Sequence, residues 1–544
     1  MTLDRPMDTI IDARVYAKRW WTLAALCLSL LIVIVGNSSL NVALPTLSRV
    51  LGASTAQLQW VVAAYSLVFA GLLFSAGAIG DRYGRKGALQ FGLAVYLVAC
   101  VLATASNAMW QLIASRALMG VGAAFIMPST LSILVNVFPP DERTKAIAIW
   151  AGTTGAAGAI GPVASGWLLG HFWYGSVFLI NVPILLTALV AGRFLVPKSR
   201  DTHQGPLDPV GAVLSIVGIV SLVYGLIEGP QLGWRSSETL IAFAVAAVVL
   251  TLFAAWELRV DEPMLDIRLF RNPAFSTGTG GMILIFLSMF GVMFLVTQYF
   301  QLILGYTPLS ASLRFLPMAP IMLVVAPMTP RLSARFGANR VVSIGMCGVA
   351  LGLLLFRGIS PQTSYWYILV SIACLVSGMA LSMSPMTASI MSAVPPRRAG
   401  AGSAMNDATR ELGAALGIAL MGSLAASRYA ANIAQVTSHL PAGVRHQAGI
   451  SLADALSAAT KLGGPAGHAL TLGTQHAFIG GIQLAVTCGA ALSAAAAVIV
   501  LRRLPRQAAH GTALRDAVEA TETTAELGLA GVEPAFAQDR DTVL

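Results

Sequence analysis

In a stretch that is otherwise apolar, Asn406-Asp407-Ala408-Thr409-Arg410-Glu411-Leu412-Gly413 places two acids four residues apart. On a helix that spacing puts both carboxylates on one face, with Arg410 beside Asp407 at i+3. Two carboxylates so near each other cannot both hold charge easily in a medium of low dielectric. Taking up and releasing a proton near neutral pH is the chemistry such a pair can do. The plainer use is a structural Asp407–Arg410 ion pair near one end of the helix. Arg116 is the second candidate, near the start of another apolar run that contains no acid. A buried cation beside a carboxylate favours its ionised form, and moving the cation away lets the carboxylate take up a proton. The bland use of such an arginine is to snorkel or to bond backbone carbonyls.

The medium follows from composition. The chain has 544 residues, of which 56% are hydrophobic and only 11% charged. Soluble domains carry about 25% charged residues, so a chain of this length lacks the polar surface to dissolve in water. It reads as an all-α polytopic membrane protein, with the bilayer as its largest partner. The net charge of +10 does not indicate a nucleic-acid partner, because the basic residues lie between apolar runs and form no stripe. Cys27, Cys100, Cys347, Cys374 and Cys488 are scattered through apolar runs, which argues against a disulfide framework and against a metal site. The first apolar run exceeds 20 residues without a clear cleavage site and reads as a first spanning helix rather than a signal peptide.

A spanning helix needs about 20 mostly apolar residues. Fourteen stretches qualify, near 21–45, 57–79, 88–106, 109–137, 146–170, 176–196, 208–228, 238–258, 274–302, 309–330, 340–358, 364–391, 401–427 and 475–501. With both termini placed on one side, 25 of the 34 Lys and Arg fall on that side. Six lie opposite (Arg49, Arg235, Arg357, Arg428, Arg445, Lys461), and Arg116, Arg314 and Arg410 lie within spans. Such a bias marks the basic side as cytoplasmic. A missed helix would have scrambled it from that point on.

Dense charge is costly inside a bilayer. The segment Gly77-Ala-Ile-Gly-Asp81-Arg82-Tyr-Gly84-Arg85-Lys86-Gly-Ala-Leu89 therefore marks a tight surface turn between spans 2 and 3. After span 10, Pro330-Arg331-Leu-Ser-Ala334-Arg335-Phe-Gly337-Ala-Asn-Arg340 echoes it, with Ala334 where Asp81 stands. This reads as a decayed repeat. It yields a six-helix bundle over 21–196, a linker with two inserted helices over 197–272, and a second six-helix bundle over 273–503. Residues 1–20 form a cytoplasmic N-terminus, 428–474 a long outside loop, and 504–544 a polar tail whose composition predicts disorder.

The Gly77–Leu89 string resembles the loop 2–3 signature of the major facilitator superfamily. Further strings are similar, in order, to the fourteen-helix drug:proton antiporter family within it: Asn41-Val-Ala-Leu-Pro45, Trp60-Val-Val-Ala-Ala-Tyr65, Arg116-Ala-Leu-Met-Gly120-Val-Gly122, Gly158-Ala-Ile-Gly161-Pro162-Val-Ala-Ser165-Gly166 and Phe178-Leu-Ile-Asn181-Val-Pro183. The resemblance implies the major facilitator fold and a multi-pass protein of a bacterial inner (plasma) membrane. It implies efflux of an amphipathic small molecule or lipid in exchange for protons, by a monomer that needs no cofactor besides the proton gradient. It assigns proton coupling to Asp407, Glu411 and Arg116, and a conformational latch to Asp81, Arg82, Gly84 and Arg85. Small residues let spanning helices touch and proline bends them, so Gly158, Gly161, Pro162 and Gly166 read as a packing pivot in span 5.

Two departures bear on mechanism. Gly36 and Ala63 stand where many members of that family carry aspartates in spans 1 and 2. Softer candidates for a substrate cavity are Asn41, Trp60, Tyr65, Asn181, Gln298, Tyr299 and Gln301, each polar or aromatic in or beside a span. Glu228 reads as part of an outer loop at the end of span 7. No phosphate-binding G-x-x-x-x-G-K-[ST] and no H-E-x-x-H occurs, so the sequence offers no enzyme site and no ATP-driven mechanism. Competing readings are a weakly coupled or uncoupled exporter of the same fold and a non-transporting membrane sensor.

Overall fold

A computed structural model describes residues 13–200, 208–261, 263–394 and 399–506. The N-terminal residues before 13, all of the expected disordered tail 504–544 beyond residue 506, and Arg397 and Arg398 lie outside the described residues. Among the described residues, fourteen helices are long and apolar enough to cross a membrane. They are α1 (Val15–Leu51), α2 (Thr55–Tyr83), α3 (Arg85–Thr104), α4 (Met109–Val137), α5 (Lys145–His171), α6 (Ser176–Leu195) and α7 (Pro209–Leu232). There follow α8 (Ser237–Glu257), α9 (Pro273–Ile303), α10 (Pro308–Phe336), α11 (Ala338–Phe356), α12 (Tyr365–Ser392), α13 (Gly402–Val436) and α14 (Gly464–Arg503). Among the described residues there is no strand.

Local chemistry sets the helix ends. Ser54 and Gln57 form a capping box that starts α2, and the Ser236 hydroxyl accepts from Thr239 N–H to start α8. Prolines open α7, α9 and α10, where a missing N–H is harmless. Glycines with φ of +125° and +87°, Gly84 and Gly337, close α2 and α10 and begin the next helix at once. A side chain adopts such backbone angles only under strain.

Two bundles assemble, α1–α6 and α9–α14, and the main contacts between them pair α2 with α13, α5 with α10 and α1 with α9. Glycines allow the same close approach in each. Gly92 on α3 and Gly122 on α4 abut so tightly that a Cβ on either would sit 2.8 Å from the other's carbonyl oxygen. Gly345 on α11 meets Gly378 on α12 in the corresponding place. The inserted α7 and α8 pack on each other, and α7 also lies along α2 and α13.

Three expectations need correction. The region 428–474 is not an irregular loop: α13 runs to Val436, α14 starts at Gly464, and two short helices, Ala442–Ile450 and Leu452–Leu462, fill the interval. The second presents Leu452, Ala455, Ala458 and Ala459 inward, an apolar spacing that looks like loop composition when averaged with its polar flanks. Glu228 is not a loop residue, because α7 continues to Leu232 despite Pro230. Gly158 packs against nothing: a Cβ there would meet open space.

Candidate functional site

The basic side of the molecule carries the Gly84 and Gly337 turns; the other side is called the opposite face here. Arg116 is fully buried at the centre of the first bundle. Its Nε donates to the Val61 carbonyl of α2 at 3.1 Å, and its Nη2 donates to the Asn37 amide oxygen of α1 at 3.2 Å. The guanidinium lies 4.4 Å over the Tyr65 ring, a favourable cation–π placement once desolvated. Among the described residues it forms no ion pair. A buried charge held by neutral acceptors alone remains open to a carboxylate partner.

The nearest such carboxylate comes from the other bundle. α2 and α13 run antiparallel and match residue for residue. At the opposite face the Gln59 amide donates to the Ile418 carbonyl at 2.9 Å. One turn deeper, Ala63 packs into an apolar cluster with Ala415, Ala419, Val223 and Ile227. One turn further, Ser66 and Tyr65 face Glu411, which feels the charge of Arg116. The Ser66 hydroxyl and one Glu411 oxygen are both buried without a hydrogen-bond partner. Asp407 lies one turn nearer the basic face, 3.9 Å from Arg410, whose guanidinium sits 5.7 Å from the Phe286 ring of α9. Asp407 and Glu411 thus lie on α13 at the seam between the bundles, and of the two only Glu411 interacts electrostatically with Arg116 and Tyr65 inside the first bundle.

The two family acids are replaced by packing. The space a side chain at Gly36 would need is taken by the Tyr96 hydroxyl, itself buried without a partner. An acid at Ala63 would be buried among alanines and valines. Sequence reasoning missed Asn37, Ser66 and Tyr96. Asn37, one helical turn before Asn41 in an apolar run, was the findable one; Ser66 and Tyr96 gain meaning only from helices that touch them.

The other cavity candidates scatter. Trp60 Nε1 donates to Glu228 of α7 at 2.8 Å, and the Tyr224 ring lies tilted with its centroid 6.2 Å away. Asn41 keeps a buried, unpaired amide oxygen. Asn181 and Gln298 spend their amides on carbonyls one turn back. Tyr299 donates to Ser360 at 2.6 Å, and Gln301 donates across the bundles to the Val42 carbonyl at 2.9 Å. These last four are ties of the scaffold in this geometry.

At the basic face Arg85 Nε bonds Asp81 at 2.5 Å across the Gly84 turn. Arg85 N–H donates to the Ser199 carbonyl at 3.0 Å, and Lys86 donates to the Arg193 carbonyl at 2.6 Å. The turn is therefore fastened to the end of α6. Arg82 is exposed, 5.7 Å from the Tyr83 ring.

The pivot residues divide by depth. Gly161 is pressed against Val35 and Ser38 of α1, and Gly166 against Pro308, Leu309 and Ser312 at the start of α10. Pro162, between them, leaves the Gly158 carbonyl without its helical donor. Towards the basic face Gly152, Gly155 and Gly158 face open space, and Leu323 and Val324 of α10 are 75% and 64% exposed. Among the described residues, α5 packs on the first turns of α10 at the opposite face and makes no comparable contact with Met318–Phe336 nearer the basic face.

Residues 26–418 match the Major Facilitator Superfamily. The multidrug efflux pump LfrA of Mycolicibacterium smegmatis is 35% identical over 504 residues, covering 91% of this chain and 99% of its own. The methyl viologen resistance protein SmvA of Salmonella typhimurium is 34% identical, with 85% and 93% covered. The tetracenomycin C resistance and export protein of Streptomyces glaucescens is 32% identical, with 89% and 91% covered. Among solved structures, a bacterial homolog of the human lysosomal transporter Spinster superposes with a TM-score of 0.62 at 16% identity, over 89% of this chain and 97% of its own.

Proposed function

Because the chain belongs to the Major Facilitator Superfamily and crosses the bacterial inner membrane many times, we propose that it exports amphipathic compounds in exchange for protons by alternating access. The observation that carries this reading is Glu411: a carboxylate with an unpaired oxygen, on a helix of one bundle, facing the buried Arg116 of the other. When the bundles rock, the distance between that anion and that cation must change. Close approach favours the ionised carboxylate and separation favours protonation, so proton binding and bundle position are linked. Asp407 assists one turn closer to the basic face. In this reading the basic face is cytoplasmic, both termini lie there, and the α5–α10 gap is the cytoplasmic opening. The Asp81, Arg82, Gly84 and Arg85 turn latches that side when it closes. A membrane potential supplies about 2.3 kcal/mol per charge per 100 mV, so no further energy source or cofactor is needed. Relatives named for efflux and resistance support a drug-like substrate, and the protein works as a monomer.

The test is proton movement in proteoliposomes holding a pH-sensitive dye, with lipophilic cations and neutral drugs added to wild type, Asp407→Asn and Glu411→Gln. Substrate-triggered proton flux that vanishes in Glu411→Gln is the expected result. A second reading, an uncoupled facilitator or lipid translocase, is favoured by one observation: the places of two family acids are filled by Tyr96 and by alanine packing. Substrate movement without proton flux, unchanged in both variants, would establish that reading and remove the first.

A further inference from the structure

At the basic face, far along α7 from the Glu228 end, two more acids meet. Asp208 caps the start of α7, its Oδ1 accepting from Gly211 N–H at 2.8 Å and from Trp256 Nε1 at 3.0 Å. Glu257 ends α8 and is only 2% exposed. Its Oε2 accepts from Leu265 N–H at 3.0 Å. The remaining oxygens, Asp208 Oδ2 and Glu257 Oε1, are both buried and without a donor. They converge over Gly211, where a Cβ would collide with both, and the two carboxyl groups are within hydrogen-bonding reach of each other.

Among the described residues no cation pairs with them. Along the segment after α8, Arg268 spends its guanidinium on the Leu258 carbonyl at 3.1 Å, and Arg259 and Asp261 are exposed. Asp266 caps the turn of helix that follows, accepting from Arg268 N–H. α2 approaches with the apolar Phe74 and with Ser75, whose hydroxyl lies 3.9 Å from the Met264 sulfur. Two ionised carboxylates cannot point free oxygens at one another in such a place, whereas one proton between them satisfies both.

We propose that Asp208 and Glu257 hold one proton between them, forming a protonation-dependent clasp outside the Arg116–Glu411 region. The clasp joins the start of α7, the end of α8 and, through Leu265, the segment that leads into the second bundle. Leu265 and Leu269 of that segment border a small apolar cavity with Phe74 of the first bundle and Phe275, Val394 and Met405 of the second. Loss of the proton sets like charges face to face and frees the segment that spans this junction. The clasp is thus a sensor of pH on the basic side, and it stands whether or not transport is proton-coupled.

Infrared difference spectroscopy of the purified full chain, between mildly acidic and alkaline buffer, reads the proton directly. The wild type should show a protonated-carboxyl C=O band that disappears at alkaline pH. Glu257→Gln, which keeps a donor for Asp208, should lose the part of that band that survives in Glu411→Gln, retain substrate transport, and no longer lose thermal stability on the alkaline side. Asp208→Asn should behave likewise. A band that persists unchanged in both variants overturns the proposal. So does a wild type with no such band whose melting temperature instead rises with added sodium, potassium or calcium, since a metal ion would then occupy the place of the proton.

Discussion

The turns at Gly84 and Gly337 share a backbone and differ in side chains. In both, a glycine of positive φ ends the second helix of a bundle, and its N–H donates four residues back, to Gly80 and to Ser333. In both, the next residue's N–H donates at 3.0 Å to a carbonyl just beyond the bundle's last helix: Arg85 to Ser199, and Ala338 to Arg506. Even the arginine over the preceding aromatic ring recurs, Arg82 over Tyr83 and Arg335 over Phe336. Only the Asp81–Arg85 pair is absent from the second turn, where Ala334 and Ala338 stand. The shared backbone is therefore architecture, fastening each turn to its own bundle. The ion pair is an addition to one half. Forcing a side chain into such backbone costs about 1–3 kcal/mol, whereas a partly exposed ion pair contributes about 0–1 kcal/mol. The glycines should govern folding, and the pair should govern the balance between states.

The largest effects should come from Gly84→Val and Gly337→Val. Each is expected to lower stability by about 1–3 kcal/mol in thermal unfolding in detergent, by similar amounts. A loss at one turn alone would break the equivalence. Next, Asp81→Asn and Arg85→Ala should cut substrate-driven flux by up to about fivefold, a shift of at most ~1 kcal/mol in state balance, with little change in melting. Arg335→Ala should leave the flux unaltered; a matching loss there would show that the second turn also switches. The converse graft, Ala334→Asp with Ala338→Arg, should add at most about 1 kcal/mol to stability and slow the flux, because a second latch now opposes opening.

The smallest effect concerns a tie at the start of the first bundle. Arg19 bonds Glu142 at 2.6 and 2.9 Å, joining the start of α1 to the first turn of the Pro140–His171 helix that continues into α5. That hydrogen bond holds the Glu142 carboxyl below its ordinary value. Its contribution is present above the unfolded carboxylate's value of about 4.3 and disappears as the pH falls through the lower folded value. Glu142→Gln should flatten the acid limb of the stability profile and leave the neutral region nearly unchanged.

Much of this was legible in the chain because spanning helices announce themselves. The two turns, the fourteen helices, and the placing of Asp407 and Glu411 on one helix face all follow from local spacing. Helix-to-helix matching was not legible. That Ser66 faces Glu411, that Tyr96 fills the Gly36 gap, and that Trp60 bonds Glu228 depend on residues remote in sequence. Glu228 was misplaced for a local reason: Gly229, Pro230 and Gly233 read as a loop, yet α7 ends only at Leu232. Gly158 was misjudged because glycine spacing reveals where helices are able to touch, and not whether they do in a given state.

The position of α7 has a consequence for traffic within the lipid. It covers the seam between α2 and α13, with Ile216 filling the notch at Gly71, and with Trp234 and Ser427 joined at 3.1 Å towards the opposite face. The other seam, between α5 and α10, is uncovered at the basic face. A twofold body with two equivalent side doors has become a room with one. In the proposed export cycle, an oily molecule dissolved in the basic-side leaflet would enter past α5 and α10 before it meets Glu411.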